Sequence, residues 1–174
     1  MDLLDFDNAN LYFDEPMADE VQVLLNKAAE VYADGDAERH LLRAYFLAPQ
    51  NLSVLVALYR FYYYQHRLSE ALVVAMHALD ASGGRLGLPD EWQRLDDMCI
   101  GFAASQSMGL LRFYLLALKG AGYLNLRAGD LETGRCMLAK ILEVDPKDQM
   151  GAGVLLGVVE QMEVRGVEPE RASA

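Results

Sequence analysis

The amino-acid sequence predicts an all-α protein of about seven or eight helices arranged in antiparallel pairs, on three observations. Apolar residues recur at three- and four-residue intervals in segment after segment, the spacing that lines one side of a helix. Alternating β-branched runs closed by Asn-Gly or Asp-Gly turns are missing, so strand signals are scarce. Short breaks built on glycine, aspartate and proline separate the periodic segments, and such short connections turn one helix back beside the next.

Taken in order, the spacing predicts helices near 17–33, 37–47, 51–65, 68–82, 90–104, 108–128, 131–144 and 147–164. The first stops at Asp34-Gly35-Asp36 and the second at Pro49-Gln50-Asn51. Gly83-Gly84 closes the fourth, and Gly87 with Pro89 precedes the fifth. That fifth helix, from Asp90 to about Ala104, is amphipathic through Trp92, Leu95, Met98, Cys99 and Phe102, and is expected to cap or wedge between its neighbours. Gly129-Asp130 parts the sixth from the seventh, and Asp145-Pro146 the seventh from the eighth. Residues 17–165 are read as a single helical domain, 1–16 as an acidic N-terminal arm and 166–174 as a flexible C-terminal tail.

Three stretches repeat one pattern. In 115–148, Leu118, Ala121 and Gly122 stand at packing positions of a first helix, Gly129-Asp130 makes the turn, and Leu138, Leu142 and Asp145-Pro146 close a second helix. In 52–85, Leu55, Leu58, Tyr59 and Tyr62 precede Glu70-Ala71, Ala75, Ala78 and Leu79, with a tyrosine at a small-residue site and no glycine in the turn. In 21–51, Leu24, Ala28 and Val31 lead through Gly35-Asp36 to Leu41, Leu42, Ala44 and Pro49, with a shortened second helix. These units resemble tetratricopeptide (TPR) repeats, helix pairs of about 34 residues with small residues at the crossing and a proline after the second helix. The resemblance implies a right-handed stack of pairs with a concave binding face, closed by a capping helix after Asp145-Pro146. The plain alternative is a helical bundle whose alanines and glycines coincide with the pattern.

Composition narrows the function classes. Of the 26 acids, seven (Asp2, Asp5, Asp7, Asp14, Glu15, Asp19, Glu20) stand in residues 1–20, where there is no Lys or Arg. The other 154 residues carry 19 acids against 15 bases, so seven of the eleven net negative charges fall in the first 20 residues. That balance argues against binding nucleic-acid phosphates or an anionic membrane surface. The window Ile100 to Leu118, the most apolar, is interrupted by Ser105, Gln106, Ser107 and Arg112, and the first 20 residues lack a signal-peptide pattern. A cytoplasmic protein with two reduced cysteines, Cys99 and Cys136, is expected.

Catalysis needs converging groups, and few are offered. His40, His66 and His77 show no ligand spacing with one another or with the cysteines, so no metal is expected. Gly101, Gly109, Gly120 and Gly122 follow no strand and are read as close-approach sites rather than a phosphate loop. No Gly-x-Ser-x-Gly elbow occurs. Asp96-Asp97 and Glu160 with Glu163 are read as solvated helix faces, and Cys136 as a small packing residue. The chain is read as a non-enzyme without cofactors.

Tyr62-Tyr63-Tyr64 is different, because consecutive residues on a helix point about 100 degrees apart and cannot all face a core. In the repeat register Tyr62 packs inward, while Tyr63 and Tyr64 reach the concave face with Tyr32, Ser53, Val56 and Arg60, then Lys119, Tyr123 and Arg127. Tyr and Arg are the residue types that most often dominate interface energy. The alternative is that the rings seal helix pairs with their hydroxyls in water. The Lys and Asn carboxylate clamp of some tetratricopeptide proteins is not supported, since Tyr123 stands where its Asn is required and Val56 and Arg60 fill its other positions. In the arm, acids alternate with Leu3, Leu4, Phe6, Leu11, Tyr12 and Phe13, so Asp5, Phe6, Asp7, Leu11, Tyr12 and Phe13 form a second candidate binding segment. Binding a partner, folding back over the concave face and simple fraying are the three roles weighed for it.

From Met1 through the three pairs the chain also resembles the nitrogenase-associated factors, small tetratricopeptide-like proteins of nitrogen-fixing bacteria. The resemblance implies a protein partner, the nitrogenase molybdenum-iron protein, held during assembly, damage or cofactor loss. Three function classes remain: an assembly, chaperone-like or protective factor; a self-associating structural module; and, ranked last, an enzyme with a dispersed site.

Overall fold

Short polar side chains cap several of the helices, and left-handed residues end three of them. A computed structural model of the chain describes residues 16–32 and 36–164, with side chains through 161. The candidate arm residues Asp5, Phe6, Asp7, Leu11, Tyr12 and Phe13, and the tail at 166–174, lie outside the described residues. The helices are α1 (Asp19–Glu30), α2 (Ala37–Leu47), α3 (Leu52–Tyr64), α4 (Leu68–Leu86), α5 (Asp97–Gln106), α6 (Met108–Ala128), α7 (Leu131–Val144) and α8 (Ala152–Val164). The described residues contain no strand. Asn51, Ser107 and Asp130 cap α3, α6 and α7 by accepting the backbone N–H three residues on, at 3.1, 3.2 and 3.1 Å.

The α3–α4 turn solves the missing glycine by other means. His66 takes a left-handed φ of 59°; its N–H donates to the Tyr63 carbonyl and that of Arg67 to Tyr62. Gly129 (φ 92°) closes α6 with the same pair of bonds, from Gly129 to Leu126 and from Asp130 to Asn125. A Cβ disfavours this backbone region, so the exposed His66→Gly is expected to stabilise the chain by about 0.5–1 kcal/mol. A calorimetric melt checks it, and an unchanged or lower Tm would show that the histidine side chain contributes more than its backbone costs.

Successive helices pack on one another from α1 through α4, α4 then packs broadly on α6, and α6, α7 and α8 follow in turn. Alternate helices are also tied by side chains. The Tyr32 ring meets Phe61 edge-on at 5.8 Å, and the Tyr45 hydroxyl shares a 2.6 Å hydrogen bond with His77 Nδ1. Tyr63 on α3 meets Tyr123 on α6 at 6.3 Å between rings. Small residues permit a close crossing of α6 against α7. A Cβ on Gly134 would lie 2.6 Å from Leu126 Cγ and 2.8 Å from the Gly122 carbonyl oxygen.

Most packing positions read from the sequence are buried, among them Leu24, Ala28, Leu41, Ala44, Leu55, Leu58, Tyr59, Tyr62, Ala71, Ala75, Ala78, Leu79, Leu118, Ala121 and Leu138. Leu42 is a correction: it is 44% exposed, because the short α2 turns that face away from α1 and α3. The helix expected over 90–104 is a second correction. A 3-10 turn at Trp92–Arg94 buries Trp92 and Leu95, and the chain restarts at Asp96, whose carboxylate accepts the Cys99 N–H at 2.8 Å. Asp96 is thus a cap rather than a helix face. α5 leans on α6 and leaves Met98 and Phe102 exposed, so one face of it stays uncovered instead of being wedged between pairs. α4 runs through Gly83-Gly84 to Leu86 instead of stopping there, and ends at Gly87 with φ 63°. Cys136 is exposed on α7 rather than packed.

Candidate functional site

One side of α3 builds the candidate site. Ser53, Ala57, Arg60 and Tyr64 follow one another at three- and four-residue spacing, opposite the buried Leu55, Leu58 and Tyr62. With Met17, Leu25 and Tyr32 from the α1 side they line a groove of about 530 Å³. Burial pushes the Tyr32 phenol up from its ordinary pKa; Tyr64 adds to the rise and Arg60 opposes it. Tyr32 therefore stays protonated at neutral pH and keeps its donor. Arg60 is the charged residue among those lining the groove.

From Tyr64 the aromatic surface continues across α3 to α6. The Tyr64 ring meets Tyr63 edge-on at 5.8 Å, and Tyr63 lies over Tyr59 at 6.0 Å and beside Tyr123 at 6.3 Å. Arg127 donates to the Tyr123 hydroxyl at 2.9 Å, with its guanidinium 5.9 Å from that ring. Tyr32, Arg60, Tyr64, Tyr63, Tyr123 and Arg127 thus join into one strip across α1, α3 and α6.

Tyr62 is held inward, which turns its two neighbours out. Its hydroxyl donates to Glu38 at 3.2 Å, and the Arg67 guanidinium sits 4.6 Å from its ring centre. Arg67 also bonds Glu38 and Glu70, both at 2.8 Å, and its hydrogen bond holds the Glu70 carboxyl below the usual range. This network ties α2, α3 and the start of α4 together.

Two predicted site residues do not belong to the strip. Val56 is 1% exposed, because the face it shares with Leu52 and Tyr59 turns into the core. Lys119 is 6% exposed, and its Nζ donates to the Met150 carbonyl at 2.8 Å. The α7–α8 loop covers it. Asp145 accepts the Met150 N–H at 2.9 Å, and Asp148 accepts the Ala152 N–H at 2.6 Å, so two short carboxylates hold that carbonyl over the lysine. The α1 wall of the groove, Gln22, Leu25, Asn26 and Ala29, was missed. Its signal was present: these four recur at helical spacing on the side of α1 away from Val21, Leu24 and Ala28.

Among the described residues no three His, Cys, Asp or Glu side chains are grouped as a metal site requires, and no helix is long and apolar enough to cross a membrane.

No protein-family model matches the chain, and no solved structure does. The chain is 54% identical over 159 residues to a protein of Azotobacter chroococcum mcd 1 described as an uncharacterized 19.8 kDa protein in the nifW 5′ region. The match spans 91% of this chain and 89% of that protein. Over that length such identity leaves no room for a different fold, and the chain belongs to the family of the 19.8 kDa nifW-region protein.

Proposed function

We propose that this chain is a non-enzymatic protein-binding module of nitrogen fixation, an assembly, chaperone-like or protective factor that grips the nitrogenase molybdenum-iron protein in the cytoplasm. The observation that carries the reading is the strip itself. Exposed Tyr32 and Tyr64, half-buried Tyr63 and Tyr123 and two arginines are joined beside an apolar groove, the residue types that anchor interfaces. The gene position of the relative, in the nifW 5′ region, supports the link to nitrogen fixation. In this reading the helix pairs stack as tetratricopeptide-like repeats: Gly122 and Gly134 are the small residues at a pair's crossing, and the links between alternate helices hold pair to pair.

A second reading is self-association through the end of the stack. A capping helix normally turns a polar side outward, whereas α8 leaves Val154 71% and Val158 52% exposed. Light scattering on the purified chain, alone and mixed with molybdenum-iron protein in its cofactor-loaded and cofactor-depleted forms, separates the two. The expected result is a monomer alone and a stable complex with at least one form at micromolar concentration. A dimer that ignores both forms would replace the first reading by the second.

A further inference from the structure

A second concavity shares no lining residue with the groove beside the aromatic strip. A cleft of about 380 Å³ opens between the last turn of α4, the segment that follows it and α6. Asp80, Gly83, Gly84, Leu88, Asp90 and Tyr114 line it. Its electrostatics point one way. Asp80 and Asp90 are exposed carboxylates, and no cation pairs with either among the described residues. The cleft lies at the C-terminal end of α4, where the helix dipole presents its negative pole. Arg85 of the same turn is directed elsewhere, donating to the Gln50 carbonyl at 2.6 Å.

Tyr114 is the independent sign of a ligand. Its side chain is 2% exposed, packed so closely beside Gly83 that a Cβ there would lie 3.0 Å from the ring. No described group hydrogen-bonds its hydroxyl, yet the residue lines the cleft. The ring is buried while the hydroxyl is not sealed from solvent, so a partner for it would come from outside the chain. Burial first, then Cys99 and Asp80, push its pKa up, so it remains a neutral hydroxyl that accepts an N–H and donates to a carboxylate.

We propose that this cleft binds a guanidinium or primary ammonium group, clasped by the Asp80 and Asp90 carboxylates with the Tyr114 hydroxyl at its floor. Leu79 and Leu88 offer apolar contact to the stem of such a group, and an organic cation matches two carboxylates, a phenol and a helix C-terminus at once. The group is either free, as a small amine or guanidine, or the tip of an arginine on a protein partner. This inference does not depend on the aromatic strip.

Amide chemical shifts of the full-length 15N-labelled chain test it, with ethylguanidinium chloride as the free probe and acetyl-Gly-Arg-Gly-amide as the side-chain probe. Saturable shifts at Gly83, Gly84 and Asp90 with a midpoint in the low millimolar range (about 1–10 mM) are expected. Asp80→Asn with Asp90→Asn should weaken the response about tenfold, and Tyr114→Phe about threefold with an unchanged thermal melt. A response to both probes assigns the guanidinium itself; a response to the peptide alone assigns a partner's side chain. Equal shifts in the Asn double variant, shifts reproduced by sodium chloride, or saturation by magnesium chloride with none by ethylguanidinium would each overturn the proposal.

Discussion

Gly134→Ala is expected to destabilise the chain by about 2 kcal/mol, among the largest losses a single methyl group can cause here. The added Cβ would stand 2.6 Å from Leu126 Cγ and 2.8 Å from the Gly122 carbonyl oxygen. A leucine tip can swing aside, but the carbonyl belongs to the α6 backbone, so the two helices must separate. Separation loosens the buried contacts of Met137, Leu138 and Leu124. Alanine's better helix propensity returns about 1 kcal/mol, which the clash exceeds. Gly101→Ala on α5 is the control, because a Cβ there meets nothing within 4 Å and brings only the propensity gain. Urea midpoints of the two variants decide the matter. If Gly134→Ala were as stable as Gly101→Ala, the close crossing of α6 and α7 would be wrong, and with it the placement of Tyr123 beside Tyr63.

The second large effect is on binding. Replacing Arg60, Tyr63 and Tyr64 together by Ala is expected to weaken the complex with the molybdenum-iron protein by about 100-fold, as three adjacent anchor residues of these types would. The same variant should lose about 1–2 kcal/mol of stability, since Tyr63 also stacks on Tyr59 and touches Tyr123. It should nonetheless remain helical by circular dichroism at 25 °C. Phe46→Ala, at an 85% exposed position on α2, removes an equally large apolar side chain away from the strip and should leave affinity unchanged. Calorimetric titration reads both. Retained affinity in the triple variant, or equal loss in Phe46→Ala, would place the docking surface elsewhere.

Helix existence and most helix ends were legible in the sequence because they are local. Apolar spacing marks α2, α6 and α7 to the residue, and Asn51, Ser107 and Asp130 are caps whose partners lie three residues away. Asp96 carried the same signal. The apolar run from Trp92 to Phe102 outweighed it, so one helix was expected where a 3-10 turn and α5 stand. The left-handed His66 was not legible, because a positive φ is uncommon at any residue but glycine and no local pattern marks it here.

The site divides along the same line. Sequence alone determined that three consecutive tyrosines could not share one core, since the helical rotation forbids it, and that Tyr62 would be the one turned in. It also determined which residue types were available for an interface. Tertiary structure alone decided which of them meet. Tyr63 reaches Tyr123 across a sequence separation that no periodicity reports, while Lys119, on the same helix as Tyr123, is sealed under the Met150 carbonyl. Exposure is a property of what packs above a side chain, and for Lys119 that cover comes from a loop held by Asp145 and Asp148, beyond the reach of local pattern.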